Sequence, residues 1–221
     1  MLHKFILFHL NDRANIYLYR VNNYYMLRIS AIITASGMAE RFGSDKLIYM
    51  VDSKPVIHYV MGNVANAQFY ERLIVLRNLE LKKYAEAHEF RAVWNNRYEK
   101  GMSESIILGI RNVSDSSDAA MIIPGDIPLM SSDYLNVLIN HFIESGKGIS
   151  GFLINGMPAS PMIFSRRYFN ELVQLTGDRG GKPIIMKHMD DFSGIEAPDD
   201  SLMDIDTLDD VKRFEGIIHK S

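Results

Sequence analysis

The sequence predicts an α/β fold with a doubly wound, mostly parallel (mixed) sheet. Short apolar runs, typical of buried strands, alternate with longer segments whose apolar residues recur every three or four positions, as in helices packed on a sheet. The chain has 221 residues, of which 47% are hydrophobic and 23% charged, so it is long enough for one such domain with a full core. Two predicted β segments in the second half, separated by a turn, make the pattern there less regular.

The first half of the chain carries the clearest alternation. Strands are predicted at residues 29–35, 72–76, 91–94 and 119–123, and helices at 56–64, 79–87 and 102–110. A further helix begins after Ser131, a residue type that favours helix N-caps. Its predicted apolar face consists of Leu135, Leu138, Ile139 and Phe142. This order favours parallel strands joined by helices.

The second half completes a single predicted domain over residues 26–221. Its β segments are predicted at 148–154 and 160–164, and its helices at 166–175, 182–188 and 207–219. No repeat, linker or low-complexity tract separates these elements. Residues 1–25 are predicted to be an N-terminal extension that the domain does not require, and an added edge strand at 16–21 is the alternative.

Composition excludes several classes of function. The net charge of -3 argues against general binding of nucleic acid or anionic membranes. The sequence has no cysteine, which excludes disulfides, thiol nucleophiles and Cys-ligated zinc, and it has no H-E-x-x-H pattern. No apolar stretch approaches the roughly 20 residues that span a bilayer, and the N-terminus is a poor export signal, so a cytoplasmic location is expected.

The loop after the first predicted strand has the features of a phosphate-binding site. Gly37 and Gly43 allow backbone amides to approach a ligand closely, and Arg41 and Lys46 add positive charge. Five residues separate the glycines and Lys46 comes three after the second, so the loop is neither a Walker loop nor a G-x-G-x-x-G fingerprint. A solvated surface turn is the alternative explanation.

A second candidate is Asp126, which follows the predicted strand at 119–123. In open α/β sheets ligands bind at the carboxyl ends of the strands, so Asp126 and the loop after Ala35 are expected at the same edge. A carboxylate there suits Mg²⁺, which takes one or two carboxylates together with phosphate oxygens. The alternative is a turn with a solvated aspartate.

Taken in order, the first strand and its loop resemble the signature of the MobA-like nucleotidyltransferases, L-A-[AG]-G-x-S-x-R-[FM]-G-x-x-K. Within that family they look most like the molybdenum cofactor cytidylyltransferase branch. The residues that keep the signature are Gly37, Arg41, Phe42, Gly43 and Lys46, and those that depart from it are Thr34, Ser36 and Ala39. Segments 95–105, 125–129, 159–164, 175–182 and 204–210 are similar to later family motifs in the same order. Asn96 stands where the family has Pro, and Ser160 where it has His.

The resemblance implies a role for each segment. The residues implied in catalysis are Arg41, Lys46 and Asp126. Those implied in nucleotide binding are Ala35, Ser36, Gly37, Gly43, Asn95, Gly101, Ser103 and Ser105. The implied Mg²⁺ ligands are Asp126 and Asp206, with Asp204 as a weaker candidate. The residues implied on the acceptor side are Ser160, Asp178, Arg179 and Lys182.

The implied reaction is Mg²⁺-dependent transfer of a nucleoside monophosphate, CMP from CTP, to the phosphate of molybdopterin cofactor, with release of pyrophosphate. A recipient molybdoenzyme is a possible further partner. Guanylyl transfer of the MobA type is the nearest alternative, and a sugar or polyol phosphate acceptor is another. From a different class, a non-catalytic nucleotide- or cofactor-binding protein would explain the departures at Ser36, Asn96 and Ser160.

Some of these residues also have purely structural explanations. Asp206 or Thr207 can cap the last helix, and Ser103 can cap the helix at 102–110. The acidic run at 189–211 is expected to be mostly solvated surface, and Trp94 and the thirteen methionines are expected to fill the core.

Overall fold

The computed structural model describes residues 27–37, 45–178, 180–198 and 200–220. The predicted extension at 1–25 lies outside them. The strands are β1 Ile29–Ala35, β2 Met50–Val51, β3 Lys54–Pro55, β4 Glu71–Leu76, β5 Arg91–Trp94, β6 Ala119–Pro124, β7 Ile149–Ile154, β8 Met157–Ser165 and β9 Phe192–Glu196. The helices are α1 Val56–Asn66, α2 Leu79–Ala87, α3 Met102–Asn112, α4 Ser132–Ser145, α5 Phe169–Leu172, α6 Lys182–Lys187 and α7 Leu208–Ile218.

Seven of these strands form one mixed sheet in the order β5-β4-β1-β6-β8-β7-β9. Strands β5, β4, β1 and β6 pair in parallel, β8 runs antiparallel to both of its neighbours, and β9 pairs in parallel with β7. Strands β2 and β3 form a separate two-stranded hairpin. The predicted fold class, α/β with a mostly parallel, mixed sheet, is confirmed.

Helices cover both faces of the sheet. Along β1, Ala31 and Ile33 pack in a cluster with α1, α2 and α4, whereas Ile32 packs in a cluster with α3, α5 and α6. Both faces of the strand are therefore buried, which explains why it reads as a continuous apolar run rather than an alternating one. A third cluster joins the β2–β3 hairpin to α7 through Val51, Val56 and Phe214.

Several predicted elements differ from the structure. The helix predicted at 166–175 is reduced to a 3₁₀ turn and the short α5, because after Leu172 the amides of Gln174 and Leu175 donate to carbonyl oxygens three residues back rather than four. The two-residue strands β2 and β3 are too short to give a periodic signal. Part of the acidic run expected to be solvated forms β9, which adds a strand next to β7 and leaves its residues only half-buried.

The prediction that Trp94 and the methionines fill the core is wrong in part. Trp94 is 43% exposed because it lies at the end of the edge strand β5. Five methionines are also about half exposed: Met50, Met102, Met157, Met186 and Met189. Among the helices of the described residues, none has the length and apolar character that a membrane crossing requires.

Candidate functional site

Three charged side chains meet at the carboxyl edge of the parallel strands. Lys46 Nζ lies 2.7 Å from Asp126 Oδ2 and 2.5 Å from Asp206 Oδ1. Lys46 follows the loop after β1, Asp126 follows β6, and Asp206 precedes α7. All three remain partly accessible, with 17%, 22% and 44% of their side-chain surfaces exposed. A ligand at this edge can therefore reach the ammonium and both carboxylates.

Backbone contacts set the position of Asp206. The Ile205 amide donates to the Asp126 carbonyl oxygen at 2.9 Å, and the Ile205 side chain is fully buried beside α7. Thr207 is the N-cap of α7 and forms a capping box with Asp210. Of the two predicted caps, the structure uses Thr207, so the carboxylate of Asp206 is left to contact Lys46.

The electrostatics of this cluster follow from its packing. Burial alone would lower the pKa of Lys46, but the adjacent carboxylates of Asp126 and Asp206 raise it above its ordinary value. Asp204 reaches solvent, yet partial burial raises its pKa, and the charges of Asp206 and Asp126 raise it further. Asp204 therefore belongs to the same acidic neighbourhood, at its edge.

The donor set fits a hard divalent cation whose coordination is completed by a ligand. No group of three or more His, Asp or Glu side chains able to hold a metal occurs in the part of the chain that the structure describes. Asp126 and Asp206 supply two carboxylates, and Mg²⁺ typically takes one or two, with water and substrate phosphates filling its other positions. In the structure, the ammonium of Lys46 offsets part of their negative charge.

The start of the predicted phosphate loop is described only as far as Gly37. The carbonyl end of β1 at Ala35 is buried, and a Cβ built on Gly37 would meet no atom of the described residues within 4 Å. Arg41 and Gly43 lie outside the described residues, so their predicted roles stay predictions.

Three of the predicted nucleotide-binding residues contact one another through their side chains. Ser36 Oγ lies 2.5 Å from Ser105 Oγ and accepts a hydrogen bond from Asn95 Nδ2 at 2.8 Å. Ser36 and Asn95 are each 1% exposed and Ser105 is 3% exposed. The three side chains thus join the ends of β1 and β5 to α3, and the structure does not direct them toward solvent.

The remaining predicted residues of the loop at 95–103 also make contacts within the protein. Gly101 has a φ of +88° and occupies the N-cap position of α3, so the prediction that Ser103 caps this helix is wrong. The Ser103 amide donates to the Gly177 carbonyl oxygen at 3.1 Å, and the Met102 amide donates to Asp178 Oδ1 at 2.8 Å. The loop is therefore held by the segment that was predicted to face the acceptor.

The predicted acceptor residues are spread along this side of the sheet. Ser160 is half-buried in β8, near the carboxyl end of β6, because Met162 pairs with Ile122. Lys182 is exposed at the first position of α6. Asp178 contacts α3 as described, and Arg179 lies outside the described residues.

Arg77 is a cation at this edge that the motif analysis missed. It follows β4 directly, with Nη2 3.7 Å from Asp45 Oδ2 and Cζ 4.9 Å from the centre of the Tyr98 ring. Its Nε is buried and has no hydrogen-bond partner among the described residues. The sequence placed Arg77 at the carboxyl end of a parallel strand, which could have indicated a site residue. A single arginine after a strand forms no motif with a recognisable spacing, so it was not selected.

The sequence matches the family of the MobA-like NTP transferase domain over residues 31–192, which is most of the chain. The chain belongs to this family. Its fold agrees: a nucleotidyl transferase from Methanothermobacter superposes with a TM-score of 0.75 at 20% identity, covering 87% of this chain and 98% of that one. A manganese complex of Rv0371c from Mycobacterium tuberculosis gives a TM-score of 0.69 at 19% identity, covering 86% and 98%.

Curated relatives of this MobA-like domain include proteins from both archaea and bacteria. A probable molybdenum cofactor guanylyltransferase of Thermococcus gammatolerans is 28% identical over 115 residues, 52% of this chain and 57% of that protein. The match thus spans little more than half the length of that relative. A protein of the same name from Aquifex aeolicus is 24% identical over 205 residues, 90% of this chain and 92% of that protein. Both of these relatives are named as guanylyltransferases.

Proposed function

We propose that this MobA-like domain is a metal-dependent guanylyltransferase that transfers GMP from GTP to the phosphate of a molybdopterin-type acceptor and releases pyrophosphate. The observation that carries the proposal is the convergence of Lys46, Asp126 and Asp206 at the carboxyl edge of the sheet. The choice of GTP rests on the names of the curated relatives. Cytidylyl transfer, favoured by the resemblance of the motifs, is the nearest alternative.

The reaction needs positioned charge rather than a nucleophilic side chain. An oxygen of the acceptor phosphate attacks the α-phosphorus, and the bond from that phosphorus to the oxygen bridging to the β-phosphate breaks, so that pyrophosphate leaves with the bonding electrons. A divalent cation bound with the triphosphate would neutralise the charge that develops on the leaving group. Positioning and charge stabilisation are the main sources of rate in phosphoryl chemistry of this kind.

The roles proposed for the chain's own residues follow from their places. Asp126 and Asp206 would hold the cation, since they offer two partly exposed carboxylates next to each other. Lys46 would then be released from these acids to bind the β- and γ-phosphates, together with Arg41 and the amides that follow Ala35. Asp204 interacts electrostatically with Asp126 and Asp206, so it would add to the negative charge around the cation.

The test is pyrophosphate release from GTP or CTP, each with Mg²⁺ and molybdopterin. We expect release with GTP, and a Lys46→Ala variant that is slower by about 100-fold or more. Lys212→Ala is the matched control, because Lys212 is an exposed lysine on α7 that pairs with Asp209. Pyrophosphate release with CTP but not with GTP would establish the cytidylyl alternative. Near-normal turnover by Lys46→Ala would refute the proposed site. Binding of GTP without any release would favour a non-catalytic binding protein.

A further inference from the structure

The turn around Asp178 supplies hydrogen-bond acceptors to the first residues of helix α3. Met102 and Ser103 are the first two residues of this helix, and no side chain from the helix's own N-cap residue satisfies their amides. Asp178 Oδ1 accepts from the Met102 amide at 2.8 Å, and the Gly177 carbonyl oxygen accepts from the Ser103 amide at 3.1 Å. A segment far downstream thus completes the N-terminus of α3.

Gly101 makes this contact possible. Its φ of +88° is a conformation that other residues adopt at a cost, and it sets the direction in which the loop enters α3. A Cβ on Gly101 would lie 2.2 Å from Asp178 Oδ1 and 3.2 Å from the Gly177 carbonyl carbon. The backbone of the loop therefore packs directly against the turn, and the carboxylate reaches the helix only because position 101 has no side chain.

The loop that this contact holds is the one that the family resemblance places along the nucleoside. It begins at Asn95, whose side chain is buried against Ser36 at the end of β1, and it ends at Gly101 against Asp178. Between these points, Arg77 lies over the ring of Tyr98. One end of the loop is fixed by buried hydrogen bonds and the other end by Asp178.

We propose that Asp178 is a positioning residue for the nucleotide, not a contact to the acceptor. The proposal rests on the proposed function, since it takes the loop at 95–101 as part of the GTP site. A carboxylate at the N-terminus of α3 satisfies a free amide and interacts favourably with the helix dipole. Without it the Met102 amide loses its partner, and the loop loses the contact that sets its distance from β1.

Comparing Asp178→Ala with Asp178→Asn distinguishes the effect of the hydrogen bond to the Met102 amide from the effect of the negative charge of Asp178. The asparagine keeps an oxygen that can accept from the Met102 amide, and the alanine does not. The matched control is Asp133→Ala, which removes an exposed aspartate from the first turn of another helix, α4. Trp94, the chain's single tryptophan, is 43% exposed and directly precedes Asn95, so its fluorescence reports on GTP binding at this loop.

The measurement is the Kd for GTP with Mg²⁺ and without acceptor, followed by KM and kcat. We expect Asp178→Ala to weaken GTP binding by about tenfold, the size of a lost helix cap, while Asp178→Asn and Asp133→Ala stay within about twofold of the wild type. The KM for GTP should rise more than kcat falls. Unchanged GTP affinity in Asp178→Ala, or a rise confined to the KM for the acceptor, would overturn the proposal.

Hydrogen–deuterium exchange without ligand distinguishes failure of this proposal from failure of the proposed function. Amides of the peptide at 95–105 should exchange faster in Asp178→Ala than in Asp178→Asn or the wild type. Equal exchange in all three proteins would overturn the positioning role. If the exchange differs as expected but the wild type binds no GTP, the contact holds the loop, and the proposed function fails together with the nucleotide role of Asp178.

Discussion

The ammonium of Lys46 lies between the two carboxylates that we propose as metal ligands. While Lys46 is paired with Asp126 and Asp206, a divalent cation must compete with it for the same oxygens. A triphosphate would relieve this competition, because it offers Lys46 another anionic partner. The geometry therefore favours entry of the metal together with the nucleotide.

This arrangement predicts the behaviour of Lys46→Met, which keeps the aliphatic chain and removes the charge. Without nucleotide, we expect the variant to bind Mn²⁺ more tightly than the wild type by roughly tenfold, because the two carboxylates lose their internal counter-ion. Electron paramagnetic resonance of free Mn²⁺ measures this affinity. Lys212→Met should behave as the wild type does, and equal or weaker binding by Lys46→Met would show that Lys46 does not compete with the metal.

His58 gives the fold a dependence on pH that is separate from the site. Its ring stacks on Tyr84 with 3.3 Å between the ring centroids. Burial lowers the pKa of His58 to about 4, and the charges of His88 and Lys54 contribute to the lowering. Since a histidine in the unfolded chain titrates near about 6.5, the unfolded state takes up the proton first as the pH falls. The free energy of unfolding should therefore decrease between about pH 6.5 and about pH 4.

His58→Phe should remove this contribution while keeping a ring to stack on Tyr84. In urea denaturation at about pH 7.5 and about pH 5, we expect the variant to lose less stability than the wild type on acidification. His219→Gln, a control at an exposed histidine that pairs with Asp52, should still show the acid-dependent loss. Parallel curves for the wild type and His58→Phe would contradict the assignment.

Residue type alone did not reveal the contacts that Ser36, Asn95 and Ser105 make. Small neutral hydrogen-bonding side chains suit a nucleoside, and the family resemblance implied nucleotide binding at all three residues, through the backbone amide in the case of Ser36. The structure buries all three and pairs them with one another. The same groups serve either purpose, and only the packing of α3 against β1 distinguishes a ligand contact from a contact that joins two elements.

Packing of helix α3 on β1 depends on Gly109. A Cβ there would lie 2.4 Å from Ile32 Cγ2, so the glycine allows the helix to approach the strand closely. Gly62 in α1 is also inside a helix, but a Cβ there would meet nothing within 4 Å. Both glycines thus lie inside helices, but only at Gly109 would an added Cβ collide with a neighbouring side chain.

Alanine at these two positions should change stability in opposite directions. We expect Gly62→Ala to raise the free energy of unfolding by about 0.5–1 kcal/mol, because alanine favours the helix. Gly109→Ala should lower it by roughly 1–3 kcal/mol, because the added methyl group forces α3 away from β1. Urea denaturation measures both. A stabilising Gly109→Ala would mean that the contact between helix and strand is not tight.

Local patterns predicted the elements in which periodicity was long enough to read. Strand β1 and helix α2 have the predicted bounds, and α7 differs from its prediction by one residue at each end. Strand β9 was missed because it is five residues long, lies inside an acidic run and has its two large apolar residues, Phe192 and Ile195, three positions apart rather than in alternation. The helix predicted at 166–175 ends at Leu172, because the amides of Gln174 and Leu175 donate three residues back rather than four. Errors therefore fall in segments that are short or locally irregular.

For the whole molecule, the sequence predicted which edge of the sheet carries the site, because the carboxyl ends of parallel strands lie together. It predicted that Asp126 and Lys46 lie near each other, and in the structure Lys46 Nζ lies 2.7 Å from Asp126 Oδ2. It did not predict the contact between Asp178 and Met102, because that contact depends on how the turn at Asp178 packs against α3 and not on which edge of the sheet a strand ends at. It did not predict the place of Arg77, because a single arginine after a strand has no distinctive spacing.

The central claim is that Asp126 and Asp206 hold a divalent cation that enters with GTP. It is tested most directly by the affinity for Mn²⁺, measured by electron paramagnetic resonance with a non-hydrolysable GTP analogue present. We predict that Asp126→Asn and Asp206→Asn each weaken Mn²⁺ binding by at least about tenfold, since each removes one of the two carboxylates that the protein contributes beside the phosphates. Asp209→Asn, at an exposed residue of α7, should leave the affinity unchanged. Equal Mn²⁺ affinity in all four proteins, the wild type included, would contradict the account.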